Sequence, residues 1–153
     1  MMVRCDRLTS PSKLDGLDQR LRMVEDCGIA TVIPEDPHWP RALDSLGERA
    51  PYVLFVRGTP SFLARPLNDL VTVTGSRAAS AYGEHVAGEL AGDLASRERV
   101  LVAGGAYGVE AAVHRAVLAA GGDTIAVLAG GVDRPYPSGN RDLLDRWVMW
   151  VRW

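Results

Sequence analysis

A chain of 153 residues, 47% hydrophobic and 24% charged, has the composition of one globular domain able to bury its own core. Its net charge of −2 excludes a general attraction to polyanions, so an anionic partner must be held by a local basic cluster. No apolar run approaches the ~20 residues that span a bilayer, residues 1–16 lack the apolar centre of a signal peptide, and Cys5 and Cys27 show no metal-binding C-x₂-C spacing; a cytoplasmic protein without metal or cofactor is expected.

Leu14, Leu17, Leu21 and Val24 recur at three- and four-residue spacing between a capping Ser12 and a stop at Gly28, which predicts an amphipathic helix over 12–27. "IATVIP" reads as a short strand ended by Pro34. Four prolines in "PEDPHWPRALDSLGERAP" predict a loop with one or two helical turns, and "YVLFVRG", 52–58, predicts a second strand. From residue 70 the pattern is regular: strand 70–74, helix about 80–96, strand 99–103, helix about 106–120, strand 124–129. The strands are continuous apolar runs, as in a parallel sheet covered on both faces. Tyr82, Val86, Leu90 and Leu94 should form the buried stripe of the first helix, and Val109, Val113, Val117 and Ala120 that of the second. Gly121 suits the residue after a helix end. The expected architecture is β-α-β-α-β, an α/β doubly wound fold with a mainly parallel sheet and flanking helices. The expected segments are 1–50, an N-terminal helix and proline-rich lead-in; 51–146, the α/β domain; and 147–153, a tryptophan-rich tail. There Trp147, Trp150 and Trp153 recur every three residues, giving one helical face of indoles.

Each parallel strand runs into glycine: Gly75, Gly104-Gly105 and Gly130-Gly131. In open α/β sheets ligands bind beyond the carboxyl ends of the strands. Glycine lets backbone N–H groups approach an anion there, and helix N-termini add partial positive charge. Arg77 adds a planar, permanently charged fork suited to phosphate. The tips describe a phosphate-binding crevice, although glycine at any one tip also serves tight turn geometry alone. Neither G-x-G-x-x-G nor a P-loop is present. Glu110 and His114, one helical turn apart, could act as an acid–base pair, but the favoured reading is a contact on a helix surface. His38 and His85 have no partners at metal-ligand spacing, and Ser76 lacks a nucleophile-elbow context. Tyr107 and Tyr136 are candidate stacking platforms for bases, with packing as the competing role.

"DPHWPRALDSLGERAPYVLFVRG", "VTVTGSRAASAYG" and "VAGGAYGVEAAVHRAVLAAGGDTIAVLAGGVDRPYPSGNRDLL", in this order, resemble the DNA processing protein A (DprA/Smf) family from about Ile33 to Leu144. The resemblance implies a Rossmann-like domain, incomplete relative to the family, that binds single-stranded DNA and loads a RecA-type strand-exchange recombinase during natural transformation. It implies that Arg77 binds phosphate, that Gly75 and Ser76 shape its pocket, and that Gly104, Gly105, Ala106, Tyr107 and Gly108 complete the groove. Asn140 and Arg141 match the segment after the family's Tyr-Pro. The family's usual loop reads Ser-Gly-x-Ala-Arg-Gly-Ile-Asp; here Tyr107 stands for the arginine and Glu110 for the aspartate. After "LLDRWVMWVRW" family members continue with further strands, a second basic segment and often a winged helix. Without them the last strand would keep an open edge, which the tryptophans could cover or use for self-association; a homodimer is compatible with this.

The expected function is therefore non-enzymatic binding of single-stranded DNA, with no membrane partner. The rival from another class is a nucleoside-monophosphate phosphoribohydrolase-like enzyme, on a loose likeness of Gly104–Glu110 to that family's glycine–glycine/glutamate motif. A third reading is an inactive, truncated remnant, which a non-cooperative thermal melt would favour.

Overall fold

The computed structural model describes residues 22, 24–129, 132 and 136–144, and the backbone of 149–152. Most of the helix expected over 12–27 lies outside these residues; its last turn is helical and ends at Gly28, φ +72°. Strand β1 (Ile29–Val32) follows, then a kinked 3₁₀ segment, Arg41–Arg49, in the proline-rich stretch. Strand β2 is Leu54–Arg57 and β3 is Leu70–Thr72. Helix α1 (Ala81–Ser96), β4 (Val100–Ala103), helix α2 (Val109–Ala119) and β5 (Thr124–Val127) form the regular region. A single helical turn, α3 (Arg141–Leu144), precedes β6 (Met149–Arg152).

All six strands make one sheet, ordered β1-β2-β6-β5-β4-β3. The β3–β4, β4–β5 and β5–β6 pairs are parallel, while β1–β2 and β2–β6 are antiparallel. This is the α/β, Rossmann-like architecture expected. The strands divide their apolar residues between two faces because successive side chains point oppositely. Val100, Ile125, Val102 and Val127 point to one face, with Trp39, Leu54, Val56 and Leu63. Leu101 and Ala103 point to the other, against Ala91 and Ala95 of α1 and Val113 and Val117 of α2. α1 and α2 lie side by side on that face. The opposite face is covered by the 3₁₀ turns and Trp39 of the proline-rich segment.

Two expectations change. The last segment is not a helical face of indoles: residues 149–152 form a strand inside the sheet, with Trp150 paired to Arg57 on one side and Ala126 on the other. Backbone hydrogen bonding to two waiting edges outweighs a three-residue spacing, and β5 has no open edge. The residues on either side of position 50 share one sheet and one core, since β1 pairs with β2 and Trp39 packs with Val56 and Val100. Finally, α1 turns its small residues inward. Ala91 and Ala95 are buried and Gly88 faces Ala116 of α2, whereas Tyr82, Val86 and Leu90 are exposed. Small side chains let α1 pack closely on both the sheet and α2, and this dual contact decides its rotation.

Both long helices end in the same hydrogen-bond pattern. After α2, Gly122 N–H donates to the Val117 carbonyl and Gly121, at φ +72°, donates to Leu118. After α1, Arg99 donates to Leu94 and Glu98 to Ala95, with Glu98 at φ +60°. The left-handed position suits glycine, and a side chain there costs about 1–2 kcal/mol. Glu98→Gly is expected to raise the unfolding free energy by roughly 1 kcal/mol, read as a higher urea midpoint at unchanged slope; a lower midpoint would contradict it.

Candidate functional site

The two described tips of the parallel strands meet. β3 leads into Gly75-Ser76-Arg77, and β4 into Gly104 to Gly108. The Val109 N–H donates to the Ser76 carbonyl at 3.2 Å, tying the start of α2 to the turn after β3. Gly108 lies at φ +72°, ψ −129°, and a Cβ on it would run into the carbonyl oxygen of Ser76 and sit 2.8 Å from that of Arg77. Gly75 is as confined, since a Cβ there would lie 2.8 Å from a methyl of Val109. These two glycines permit close approach of one turn to the other. Gly130 and Gly131, the expected third tip, lie outside the described residues.

Polar side chains hold the loop from beneath. Glu110 accepts from the Thr74 hydroxyl with Oε1 and from the Ala106 N–H with Oε2, both at 3.0 Å. Its carboxylate thus ties the end of β3 to the loop after β4. Asn140, buried, donates from Nδ2 to the carbonyls of Gly105 and Ala106 at 2.9 and 3.2 Å. His114 is fully buried, with Nε2 2.9 Å from the Gly104 carbonyl and Nδ1 2.8 Å from Thr124 Oγ1. Loop carbonyls are therefore pulled inward. Among the described residues, no oxygen accepts from the N–H groups of Ser76, Arg77 or Tyr107, all exposed. α1 and α2 both begin at this rim; of their first-turn amides, the Gly83 N–H is capped by the Ser80 hydroxyl at 3.2 Å and the Val109 N–H by the Ser76 carbonyl.

Arg77 is exposed and forms no ion pair among the described residues. It stands at the tip of β3 beside those amides. Tyr107, 49% exposed, lies against Gly139, where a Cβ would fall 2.6 Å from the phenol oxygen. The loop after β4 thereby touches the segment that follows Tyr136-Pro137. Arg141 is exposed at the start of α3.

Gly75, Ser76, Arg77, Gly104, Gly105, Ala106, Tyr107 and Gly108 are thus brought together. Asn140 is near them but faces inward, supporting the loop from below its surface. The reading of Glu110 and His114 as a helix-surface contact is corrected: both point into the loop, and each binds a different stretch of it. Each Glu110 oxygen takes part in this support. Thr74 and Thr124 also belong to this support, and the sequence marks them by position alone, Thr74 just beyond β3 and Thr124 at the start of β5.

Burial holds the His114 pKa below the ordinary 6.5, opposed by the Gly104 carbonyl and by Glu110. The ring is then neutral near pH 7: Nε2 faces the Gly104 carbonyl, Nδ1 faces Thr124 Oγ1, and the Thr124 hydroxyl donates to the Leu101 carbonyl at 2.9 Å. Below 6.5 the unfolded chain takes up a proton that the folded chain refuses, so stability falls with pH from 6.5 toward the lowered folded value. Denaturant midpoints measured across this range should drop in the wild type and drop less in His114→Gln. Parallel profiles would show that the slope arises elsewhere.

Among the described residues no group of three His, Cys, Asp or Glu could hold a metal, and no helix is long and apolar enough to cross a membrane.

The sequence profile of the family described as DNA recombination-mediator protein A matches residues 30–149. A protein of Mycobacterium tuberculosis (strain H37Rv) named as a DNA processing protein DprA is 42% identical over 144 residues, covering 88% of this chain and 37% of its own. DNA processing protein DprA of Bacillus subtilis is 32% identical over 129 residues, covering 84% of this chain and 42% of its own. The chain therefore spans less than half the length of these relatives. The X-ray structure of DprA from Streptococcus pneumoniae superimposes with a TM-score of 0.75 at 28% identity, over 92% of this chain and 49% of that one. A Helicobacter pylori DNA processing protein A, described for its single-stranded DNA binding mode, superimposes with a TM-score of 0.69 at 27% identity, over 81% of this chain and 54% of that one. The ordered motifs and the sheet agree with these matches, and the chain belongs to the DNA recombination-mediator protein A family.

Proposed function

We propose that this chain is a non-enzymatic, single-stranded DNA-binding module of the DNA-processing type. The observation that carries this reading is the exposed Arg77 at the tip of β3, without an ion pair among the described residues, beside a loop whose carbonyls are turned inward. Phosphates would lie on Arg77 and the amides of Ser76 and Tyr107, and bases against the exposed rings. Gly75, Gly104, Gly105, Ala106 and Gly108 shape the groove, Asn140 supports it, and Arg141 extends its basic side. The biological frame proposed with it is a cytoplasmic role in DNA uptake and recombination, with delivery of the strand to a RecA-type recombinase and a homodimeric assembly, as the family resemblance of the sequence implies. The Helicobacter pylori neighbour, described for single-stranded DNA binding, supports the choice of ligand.

Fluorescence polarisation with single- and double-stranded oligonucleotides at two salt concentrations tests it. A charge-assisted contact contributes about 1.5–3 kcal/mol, so Arg77→Ala should weaken single-strand binding about tenfold or more. Each lost phosphate contact should flatten the salt dependence by about 0.7 in log K against log salt. Equal affinity for both DNA forms, or an unchanged Arg77→Ala, would refute the assignment.

A further inference from the structure

Of the four tyrosines in the chain, three stand beyond successive parallel strands. Tyr82 is in the first turn of α1 after β3, Tyr107 in the loop after β4, and Tyr136 in the segment after β5. All three are exposed, at 76%, 49% and 78%. A single exposed ring is ordinary on a protein surface, but here the rings share one rim with Arg77. Contacts link the three loops in the order of the strands. Tyr107 lies on Gly139, three residues from Tyr136. The adjoining Gly108 packs on Ser76 and Arg77, and five residues past Arg77, after the Ser80 cap, comes Tyr82. The tips of β3 and β5 are about 10 Å apart at the normal strand spacing, so a short run of a single strand reaches across them. No described residue covers the Tyr82 face of α1, where Val86 and Leu90 are also exposed.

Resting on the DNA-binding reading above, we propose that the strand crosses the tips of β5, β4 and β3 in turn and leaves the sheet by stacking a base on Tyr82. The first turn of α1 thus belongs to the DNA site and carries the path beyond the edge of the sheet. A phenol ring accepts any base because every base offers a π-face. The contact therefore adds affinity without sequence preference, and this affinity is weakly sensitive to salt. It complements Arg77, whose contribution falls as salt rises.

Because Tyr82 is so exposed, its replacement leaves the core intact. Tyr82→Ala should weaken binding of an oligothymidine strand about five- to tenfold, and Tyr82→Phe should bind like the wild type. A set of oligonucleotides, each with one abasic position, provides the second readout. The wild type should lose affinity at a position where Tyr82→Ala loses none, while Arg77→Ala keeps that penalty. If Tyr82→Ala binds like the wild type, or its abasic profile matches that of the wild type, the path does not reach α1. Should Arg77→Ala still be weakened in that case, the DNA-binding reading stands and only the path falls. A wild type that binds no single strand overturns both.

Discussion

Gly108→Ala is expected to remove most single-stranded DNA binding while leaving a folded protein. The backbone at φ +72°, ψ −129° lies in a region that side chains enter only at a cost of about 1–3 kcal/mol. The added methyl would also collide with the Ser76 carbonyl and approach that of Arg77 to 2.8 Å. These neighbours are backbone, so one turn must move away from the other. Together the strain and the collision should reach about 3 kcal/mol, a fall in Tm of about 6–12 °C for a chain of this size. Binding should suffer more than stability. The displaced turns carry Arg77 and Tyr107, so affinity is expected to fall by well over tenfold, beyond the effect of Arg77→Ala alone. Polarisation titration beside a thermal melt checks both. Wild-type affinity in a destabilised Gly108→Ala would show that the two turns need not touch for DNA to bind.

Trp39→Ala is expected to give the opposite balance, with a large loss of stability and little change in affinity of the folded fraction. Trp39 is 2% exposed and packs among Leu54, Val56, Val100 and Ile125 on the sheet face away from the helices. Its indole N–H donates to Asp44 Oδ1 at 2.9 Å. Truncating a buried tryptophan costs about 3–5 kcal/mol, a large share of the 5–15 kcal/mol that holds an ordinary domain together. An unfolding free energy lowered by that amount in a urea titration is predicted. Trp39→Phe, which keeps most of the volume and loses the hydrogen bond, should cost about 1 kcal/mol. A small effect of Trp39→Ala would mean that the proline-rich segment does not belong to the core.

The regular region of the chain is legible because its signals are local. Continuous apolar runs bounded by glycine, and helical spacings of which the second is closed by Gly121, place β3 to β5 and both helices within a few residues. Gly75, Arg77 and Gly108 can be read as a site because parallel strands always deliver their ends to one rim. The rotation of α1 cannot. Tyr82, Val86, Leu90 and Leu94 form an apolar stripe, but the alanine and glycine face fits better where a helix must touch a sheet and a second helix together. Glu110 and His114 stand out as a pair, yet four-residue spacing does not say which way the pair points.

Local order in the amino acids determined the strand–helix alternation, the glycine turns and the arginine at the end of β3, since each depends on neighbours along the chain. Only the tertiary structure decided that residues 149–152 enter the sheet between β2 and β5, that Trp39 closes one of its faces, and that Glu110, His114 and Asn140 fasten the loop from below. Those outcomes depend on partners that are distant in sequence, where backbone groups, buried volume and unsatisfied polar atoms must be matched across the whole fold.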